Sequence, residues 1–166
     1  LCDGAPTVVE KLRARFGADP AIAFALPEDL DGVLADGEAD LIMVSSLIQY
    51  LTEADFAALL DRFRAKLKPG GRLVIADVIP PDAGMAADIA SLLGNAWRHG
   101  YAVQAVIGLA ATAVSPYRKL RGQLGLTTYA EPAMLALLAR HGFKAERHRP
   151  NLGLTPHRMT FVADKA

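Results

Sequence analysis

Polar side chains that could bind a ligand stand at or near the ends of short apolar runs in this 166-residue sequence. They are Asp3, Glu28, Asp29, Ser45, Ser46 and Asp77. Carboxylates accept hydrogen bonds from ligand hydroxyl or amino groups, and small hydroxyl residues leave room for a ligand to pass. If the apolar runs are parallel strands, their carboxyl ends share one edge of the sheet, where open α/β sheets bind ligands. The pattern therefore predicts one ligand site at that edge.

Each of these residues also has a structural interpretation. Asp3-Gly4 is a common turn sequence, and Glu28-Asp29 suits the start of a helix, where the helix dipole favours acids. Asp77 lies inside an apolar run, so it could serve the fold as well as a reaction. The sequence leaves these alternatives open.

Other kinds of site are disfavoured. Four histidines, His99, His141, His148 and His157, lie in different elements without zinc-ligand spacing, which predicts no metal site. The run Lys68-Pro69-Gly70-Gly71 lacks the spacing of a phosphate-binding loop and follows a helical pattern, so it predicts a helix-ending turn. Cys2 is the only cysteine, which permits no internal disulfide and predicts a reducing, cytoplasmic location.

The segments that must position the site alternate between strand and helix patterns. They are a helix over Pro6–Phe16, a strand over Ile22–Leu26, a strand over Leu41–Val44, a helix from the Thr52–Asp55 capping box, and a strand over Arg72–Val78. Strands separated by helices in this way predict right-handed crossovers and a parallel sheet with helices on both faces.

The rest of the chain departs from this alternation. Two helical patterns, at about 84–94 and 101–114, stand where a simple crossover needs only one helix. Beyond them, the sequence predicts a helix from a Thr128–Glu131 capping box and two antiparallel strands, Phe143–Arg147 and Met159–Val162.

Composition indicates one globular domain. Apolar residues make up 52% of the chain and the mean hydropathy is +0.21, which excludes a disordered tail. Residues 1–60 carry three basic and eleven acidic side chains, so the formal net charge of zero hides an acidic first part and a basic remainder. The acidic part suits either a solvated face or a ligand with a positive end. The basic side chains are scattered, which predicts no nucleic-acid partner.

The order of these pieces resembles the class I S-adenosylmethionine-dependent methyltransferases. Asp40–Leu51 resembles the family's fourth strand with its exit loop, and Leu67–Asp77 resembles the turn into the fifth strand. Gly142-Phe143 and the strands after it resemble the terminal hairpin, and Leu1–Pro6 resembles the second strand and its exit. The resemblance implies a Rossmann-like α/β fold whose sheet is mostly parallel with a C-terminal antiparallel hairpin.

The resemblance also implies methyl transfer from S-adenosylmethionine to a small-molecule acceptor. It places Asp3 and Gly4 at the cofactor ribose, Glu28 or Asp29 near the adenine, and Ser45 against the cofactor. Because the methyl group of that cofactor is already activated, the protein mainly has to align the acceptor, and no catalytic nucleophile is expected.

The irregular stretch 82–125 corresponds to a helical lid over the acceptor in such enzymes. The resemblance implies a substrate pocket lined by Gln49, Tyr50, Trp97, Tyr101 and Tyr117. Packing among the lid helices is the alternative role for these aromatic residues. If the acceptor atom is a hydroxyl, His99 and Asp77 are unranked candidates for the base.

One family feature is absent from this sequence. None of the fourteen glycines forms a G-x-G pattern, so the cofactor loop after the family's first strand is not found. We therefore expect a single domain, 1–166, that is N-terminally incomplete. In that case Leu41–Val44 would have an unpaired edge, and the chain alone would bind the cofactor weakly and could dimerise through that edge.

Two other classes of function stay open at this point. The chain could be a non-catalytic methyltransferase-like partner module that has lost the cofactor loop. It could also be a dehydrogenase with a similar fold, although the antiparallel end and the Pro-Gly-Gly turn argue against it. No membrane partner is expected, because the longest charge-free stretch, His99–Tyr117, is too polar and broken to span a bilayer.

Overall fold

The computed structural model describes residues 1–113, 126–153 and 155–166, which form an α/β fold. The helices are α1 (Pro6–Phe16), α2 (Leu30–Val33), α3 (Glu53–Lys66), α4 (Met85–Arg98), α5 (Ala102–Ala113) and α6 (Glu131–Arg140). The strands are β1 (Ala39–Ser45), β2 (Leu67–Val78), β3 (Phe143–His148) and β4 (Met159–Lys165). In these described ranges, no helix is long and apolar enough to cross a membrane.

The four strands form one mixed sheet in the order β1-β2-β4-β3. β1 pairs with β2 in parallel, whereas β4 pairs antiparallel with both β2 and β3. The predicted C-terminal hairpin is therefore confirmed. The expected mostly parallel arrangement is not found among the described strands, since only one of their three pairings is parallel.

The predicted strand Ile22–Leu26 explains part of this difference. Its only strand-like pairing is a single parallel bridge between Ala25 and Cys2, outside the main sheet. Three hydrogen bonds support the bridge: the Leu1 amino group to Ala23 O (2.6 Å), Ala25 N to Leu1 O (3.0 Å) and Asp3 N to Ala25 O (3.4 Å). The chain thus begins in an extended segment that lies apart from β1.

Helices α3 and α6 cover one face of the sheet, because their apolar stripes and the alternate residues of β2 and β4 form one core. Its fully buried members include Phe56, Leu60, Leu73, Ile75, Met134, Leu138 and Phe161. Thr52 caps α3 as predicted, its hydroxyl accepting the Asp55 N–H at 3.1 Å. The second predicted capping box is wrong: α6 begins after Ala130, and Glu131 instead accepts a hydrogen bond from Arg147.

The run Lys68–Gly71, predicted to be a helix-ending turn, belongs to β2 instead: α3 ends at Lys66, and Leu67 occupies its C-cap position. Lys68–Gly71 forms an irregular start of β2, so the register with β1 moves from Ala39–Leu67 to Leu41–Arg72. Gly70 has φ +71°, a left-handed conformation that favours glycine. The glycines therefore carry the chain from α3 into the sheet.

Candidate functional site

Two cavities meet at the carboxyl ends of β1 and β2. The larger encloses about 760 Å³ and the smaller about 340 Å³. Ser45 and Ser46, at the end of β1, line both cavities. Both volumes fall within the range of about 300–1,000 Å³ that is usual for ligand pockets. Two adjoining cavities therefore lie at the edge where the sequence predicts a ligand site.

The larger cavity lies between the extended segment Leu1–Gly4 and β1. The four consecutive residues Ile42–Ser45 line it, so the cavity meets the main-chain edge of β1 and not just one face. Among the described strands, β1 pairs only with β2, and this edge has no neighbouring strand. The wall is largely apolar and includes Leu30, Leu34 and Met43.

Five residues predicted for the site line this larger cavity: Asp3, Gly4, Ser45, Ser46 and Tyr50. The Asp3 carboxylate is oriented by the main chain, because its Oδ1 accepts the Ala5 N–H at 2.8 Å. The turn role and the ligand role that the sequence left open for Asp3 are therefore compatible.

The other predicted cofactor contacts lie outside the cavity wall. Glu28 and Asp29 sit on a short 3-10 helix and are exposed, while the neighbouring Pro27 lines the cavity. An adenine contact through their side chains remains a prediction.

The smaller cavity is walled by the ends of both strands, helix α4 and the loop between β3 and β4. Its lining residues are Ser45, Ser46, Asp77, Leu92, Asn95, Gly153 and Thr155. Asp77 is buried at its base, with a relative exposure of 8%. In contrast with the larger cavity, most of these side chains are polar.

Three side chains hydrogen-bond to the Asp77 carboxylate. Ser46 Oγ and Arg158 Nη1 donate to its Oδ2, at 2.6 and 2.7 Å, and Asn151 Nδ2 donates to its Oδ1 at 3.2 Å. The Asp77 N–H donates to Asn151 Oδ1 at 3.3 Å. Both carboxylate oxygens of Asp77 are therefore engaged by neighbouring side chains, one of them a guanidinium.

The chain is strained at two neighbouring points of this site. Ser46 has φ +54° and Asp77 has φ +67°, both in the left-handed region that non-glycine residues seldom adopt. Three hydrogen bonds hold Ser46 in place. Its N–H donates to Ala76 O, its carbonyl oxygen accepts from Gln49 Nε2, and its hydroxyl donates to Asp77. Such strain costs about 1–3 kcal/mol per residue and is concentrated at functional sites.

Arg158 connects this strained edge to helix α4. Its Nη2 donates to Asp88 Oδ2 at 2.8 Å, and His157 Nε2 lies 3.1 Å from Asp88 Oδ1. Burial raises the pKa of Asp88, but the hydrogen bond and charge of Arg158 and the contact with His157 outweigh it and hold that pKa below its ordinary value. The ion pairs therefore keep Asp88 ionised despite its burial.

The β3–β4 loop closes against the same carboxylate. Asn151 also donates to Thr155 O at 2.8 Å and accepts from Thr160 Oγ1 at 2.7 Å. A Cβ atom on Gly153 would stand 2.5 Å from Asp77 Oδ1, so only glycine fits without a shift of its neighbours. The loop therefore needs a residue without a side chain where it passes Asp77.

The residues predicted for the substrate pocket are not brought together. Gln49 is buried and uses its amide to hold Ser46, and Tyr50 faces the larger cavity. Trp97 is 82% exposed on α4, and Tyr101 contacts Asn95 through its hydroxyl. Tyr117 lies outside the described residues. His99 is exposed just beyond the end of α4 and lines neither cavity.

Sequence reasoning missed most of the smaller cavity. Leu92 and Asn95 lie one and two turns beyond Asp88 on α4, a helical spacing that the sequence does contain. Arg158 and Thr155 come from the terminal hairpin, far along the chain from Asp77. Nothing local in the sequence indicates that pairing.

In the described part of the chain, no group of three or more metal-ligating side chains is arranged to hold an ion. The larger cavity fits the cofactor that the resemblance implies, since it places an oriented carboxylate, Asp3, on an otherwise mostly apolar wall. Such a wall suits a nucleoside, with apolar surface for the base and a carboxylate for the ribose hydroxyls.

Residues 1–75 match a family described as a methyltransferase domain. No curated protein matches the sequence.

Solved structures share the fold. A possible exported protein from Bordetella parapertussis is 19% identical with a TM-score of 0.60, and the match covers 99% of this chain and 52% of that one. Mitomycin 7-O-methyltransferase is 20% identical with a TM-score of 0.61, over 99% of this chain and 41% of that one. The CurJ carbon methyltransferase is 14% identical with a TM-score of 0.61, and the match covers 99% of this chain and 40% of that one.

The chain thus spans about half the length of the first of these structures and about two fifths of the other two. Residues 1–75, less than half of this chain, are similar to the methyltransferase-domain family, and the solved structures show that the chain shares its fold with methyltransferases.

Proposed function

We propose that the protein transfers a methyl group from S-adenosylmethionine to a small molecule, with the cofactor in the larger cavity and the acceptor in the smaller one. The observation that carries the proposal is that the two cavities meet at Ser45 and Ser46. Methyl transfer needs donor and acceptor in contact and aligned, and two adjoining pockets that share one wall provide that arrangement.

In the cofactor half, Asp3 would accept hydrogen bonds from the ribose hydroxyls. Its carboxylate is already oriented by the Ala5 N–H, so little freedom is lost on binding. Leu34, Ile42 and Met43 would provide apolar contact surface. When bound, S-adenosylmethionine supplies a methyl group activated by its positively charged sulfur.

In the acceptor half, the chain's own residues orient the nucleophile and exclude water. Asn95 and Thr155 offer hydrogen-bonding groups, and Leu92 offers an apolar contact. These residues would align the nucleophilic atom of the acceptor with the methyl group that the cofactor would supply, and the acceptor's proton would pass to solvent or a base. Because Ser46, Arg158 and Asn151 occupy the oxygens of Asp77, we assign Asp77 to orientation.

The proposal is tested by titrating full-length protein with S-adenosylhomocysteine in a calorimeter. Asp3→Ala should weaken binding by about 1.5–3 kcal/mol, the range for hydrogen bonds to a charged group, or roughly 10- to 150-fold. Asp19→Ala is the matched control, because Asp19 Oδ1 accepts the Ala21 N–H at 2.9 Å in the same way but lies outside the cavity. Equal affinities in the two variants would rule out the ribose role of Asp3.

The acceptor is sought with methyl-labelled S-adenosylmethionine and a metabolite extract freed of macromolecules. Transfer of label to a small molecule by the unmodified protein is expected. Cofactor binding without any such transfer would instead favour the non-catalytic module. A cytoplasmic location forms part of this proposal and rests on the single cysteine.

A further inference from the structure

Helix α4 supplies one wall of the smaller cavity through Leu92 and Asn95. In the described part of the chain, the polar contacts of α4 with the terminal hairpin are made by Asp88, which meets Arg158 and His157. Asp88, Leu92 and Asn95 are spaced i, i+4 and i+7, so they share one face of the helix. Fixing Asp88 therefore fixes which side of α4 is turned toward the cavity.

Arg158 is placed to fix both walls at once. Its two terminal nitrogens bind carboxylates from different elements, Asp77 at the end of β2 and Asp88 on α4, at 2.7 and 2.8 Å. Its side chain is only 12% exposed. A planar, always charged guanidinium can hold two carboxylates in a fixed geometry, which a flexible lysine ammonium cannot do equally well.

The same guanidinium also stabilises the two strained residues, Ser46 and Asp77, at the ends of β1 and β2. Asp77 also accepts a hydrogen bond from the Ser46 hydroxyl, and Ser46 is one of the two residues that line both cavities. A chain of contacts thus runs from Ser46 through Asp77 and Arg158 to Asp88, and it connects the end of the sheet to helix α4, both of which line the smaller cavity.

We propose that Arg158 and Asp88 form a latch that positions α4 over the smaller cavity, which makes Arg158 a positioning residue for the acceptor half of the site. Naming this half the acceptor site rests on the proposed function. The latch itself rests on the contacts of Arg158.

Hydrogen exchange followed by mass spectrometry tests the latch in the full-length protein. In Asp88→Asn, exchange of residues 85–98 should rise by about tenfold while β2 and β4 keep their protection, because only the local opening of α4 becomes easier. Arg72→Met is the control, since it removes an exposed ion pair with Asp164 from the same sheet. It should leave α4 unchanged.

Chemical rescue separates positioning from general stability. Arg158→Ala leaves a space of guanidinium shape between two carboxylates, so methylguanidinium should restore the protection of α4, whereas the same concentration of methylammonium should not. Trp97 is the only tryptophan in the sequence and lies on α4, so its fluorescence anisotropy should fall in the variant and recover with methylguanidinium.

The latch is overturned if residues 85–98 exchange at the unmodified rate in Asp88→Asn, or if exchange rises equally in β2 and β4. If Arg158→Ala does not fold, the Asp88→Asn result decides alone. Affinity for S-adenosylhomocysteine should stay within about twofold in Asp88→Asn, because Asp88 does not line the larger cavity. If the unmodified protein does not bind S-adenosylhomocysteine, the proposed function is contradicted, but the latch between Arg158 and Asp88 is not.

Discussion

The two cavities that meet at Ser45 and Ser46 are built in different ways. The larger lies between the segment Leu1–Gly4 and the edge of β1, and apolar side chains form much of its wall. A few hydrogen bonds to Ala23 and Ala25 hold that segment. The smaller is bounded by side chains tied together through Asp77 and Arg158.

This difference indicates where each half of the site derives its shape. Main-chain edges and apolar walls impose few directional demands, so the larger cavity tolerates change in its lining side chains. A buried network of charges is costly to leave partly satisfied, so the smaller cavity should fail abruptly when one member is removed. Substitutions around the smaller cavity should therefore cost more stability than those around the larger.

Removal of Arg158 should have the largest effect. Arg158→Met leaves two carboxylates without their counter-charge, of which Asp77 is buried, and should destabilise the protein by about 3–5 kcal/mol. Met43→Thr, on the wall of the larger cavity, changes a side chain that is 58% exposed and should stay within about 0.5 kcal/mol. Urea unfolding measures the free energy of unfolding of both variants. Similar losses of stability in the two variants would contradict the difference between the two cavities.

An added methyl group at Gly153 should have the next largest effect. Gly153→Ala places a Cβ against Asp77 Oδ1 and should cost about 1–3 kcal/mol through overpacking. Gly94→Ala is the matched control: Gly94 lies within α4 with open space beside it, so alanine should stabilise that helix by about 0.5–1 kcal/mol. Changes of the same sign in thermal unfolding would show that the β3–β4 loop is not confined by Asp77.

Acid should weaken the smaller cavity, with a smaller effect. The pKa of Asp88 is lowered from its ordinary 3.8 because its contacts with Arg158 and His157 outweigh the effect of burial. A lowered native pKa means that ionised Asp88 stabilises the fold above about pH 4, and this contribution is lost as the pH falls further. Thermal melts between pH 7 and pH 3 should therefore fall more steeply for the unmodified protein than for Asp88→Asn. Parallel curves would contradict the role of Asp88.

Local patterns were enough to predict most elements of this fold. The helix over Pro6–Phe16, the capped start of α3 and the terminal hairpin all follow from periodicity and capping within a few residues. Ile22–Leu26 was misjudged because an apolar run predicts burial without specifying a partner strand. The capping box at Thr128 failed because Glu131 is occupied by Arg147, which lies on another element.

In the site, too, some residues could be predicted from the sequence and others could not. Asp3 and Ser45 were assigned to the site because the resemblance places each at the carboxyl end of a strand, where open α/β sheets bind ligands. Their contact with the cofactor stays a prediction. Arg158 could not be predicted, since its partners Asp77 and Asp88 are 81 and 70 residues away in sequence. The smaller cavity depends on tertiary contacts of this kind, so its lining was largely missed.

The central claim is that the donor methyl group lies where the two cavities meet. The most direct measurement uses S-adenosylmethionine with a ¹³C-labelled methyl group bound to the full-length protein, and isotope-edited nuclear Overhauser effects from that methyl group. We predict contacts to the protons of Ser45 and Ser46, with none to Trp97. Contacts confined to Trp97 and α5, or to Glu28 and Asp29, would place the methyl group elsewhere and contradict the assignment of the two cavities.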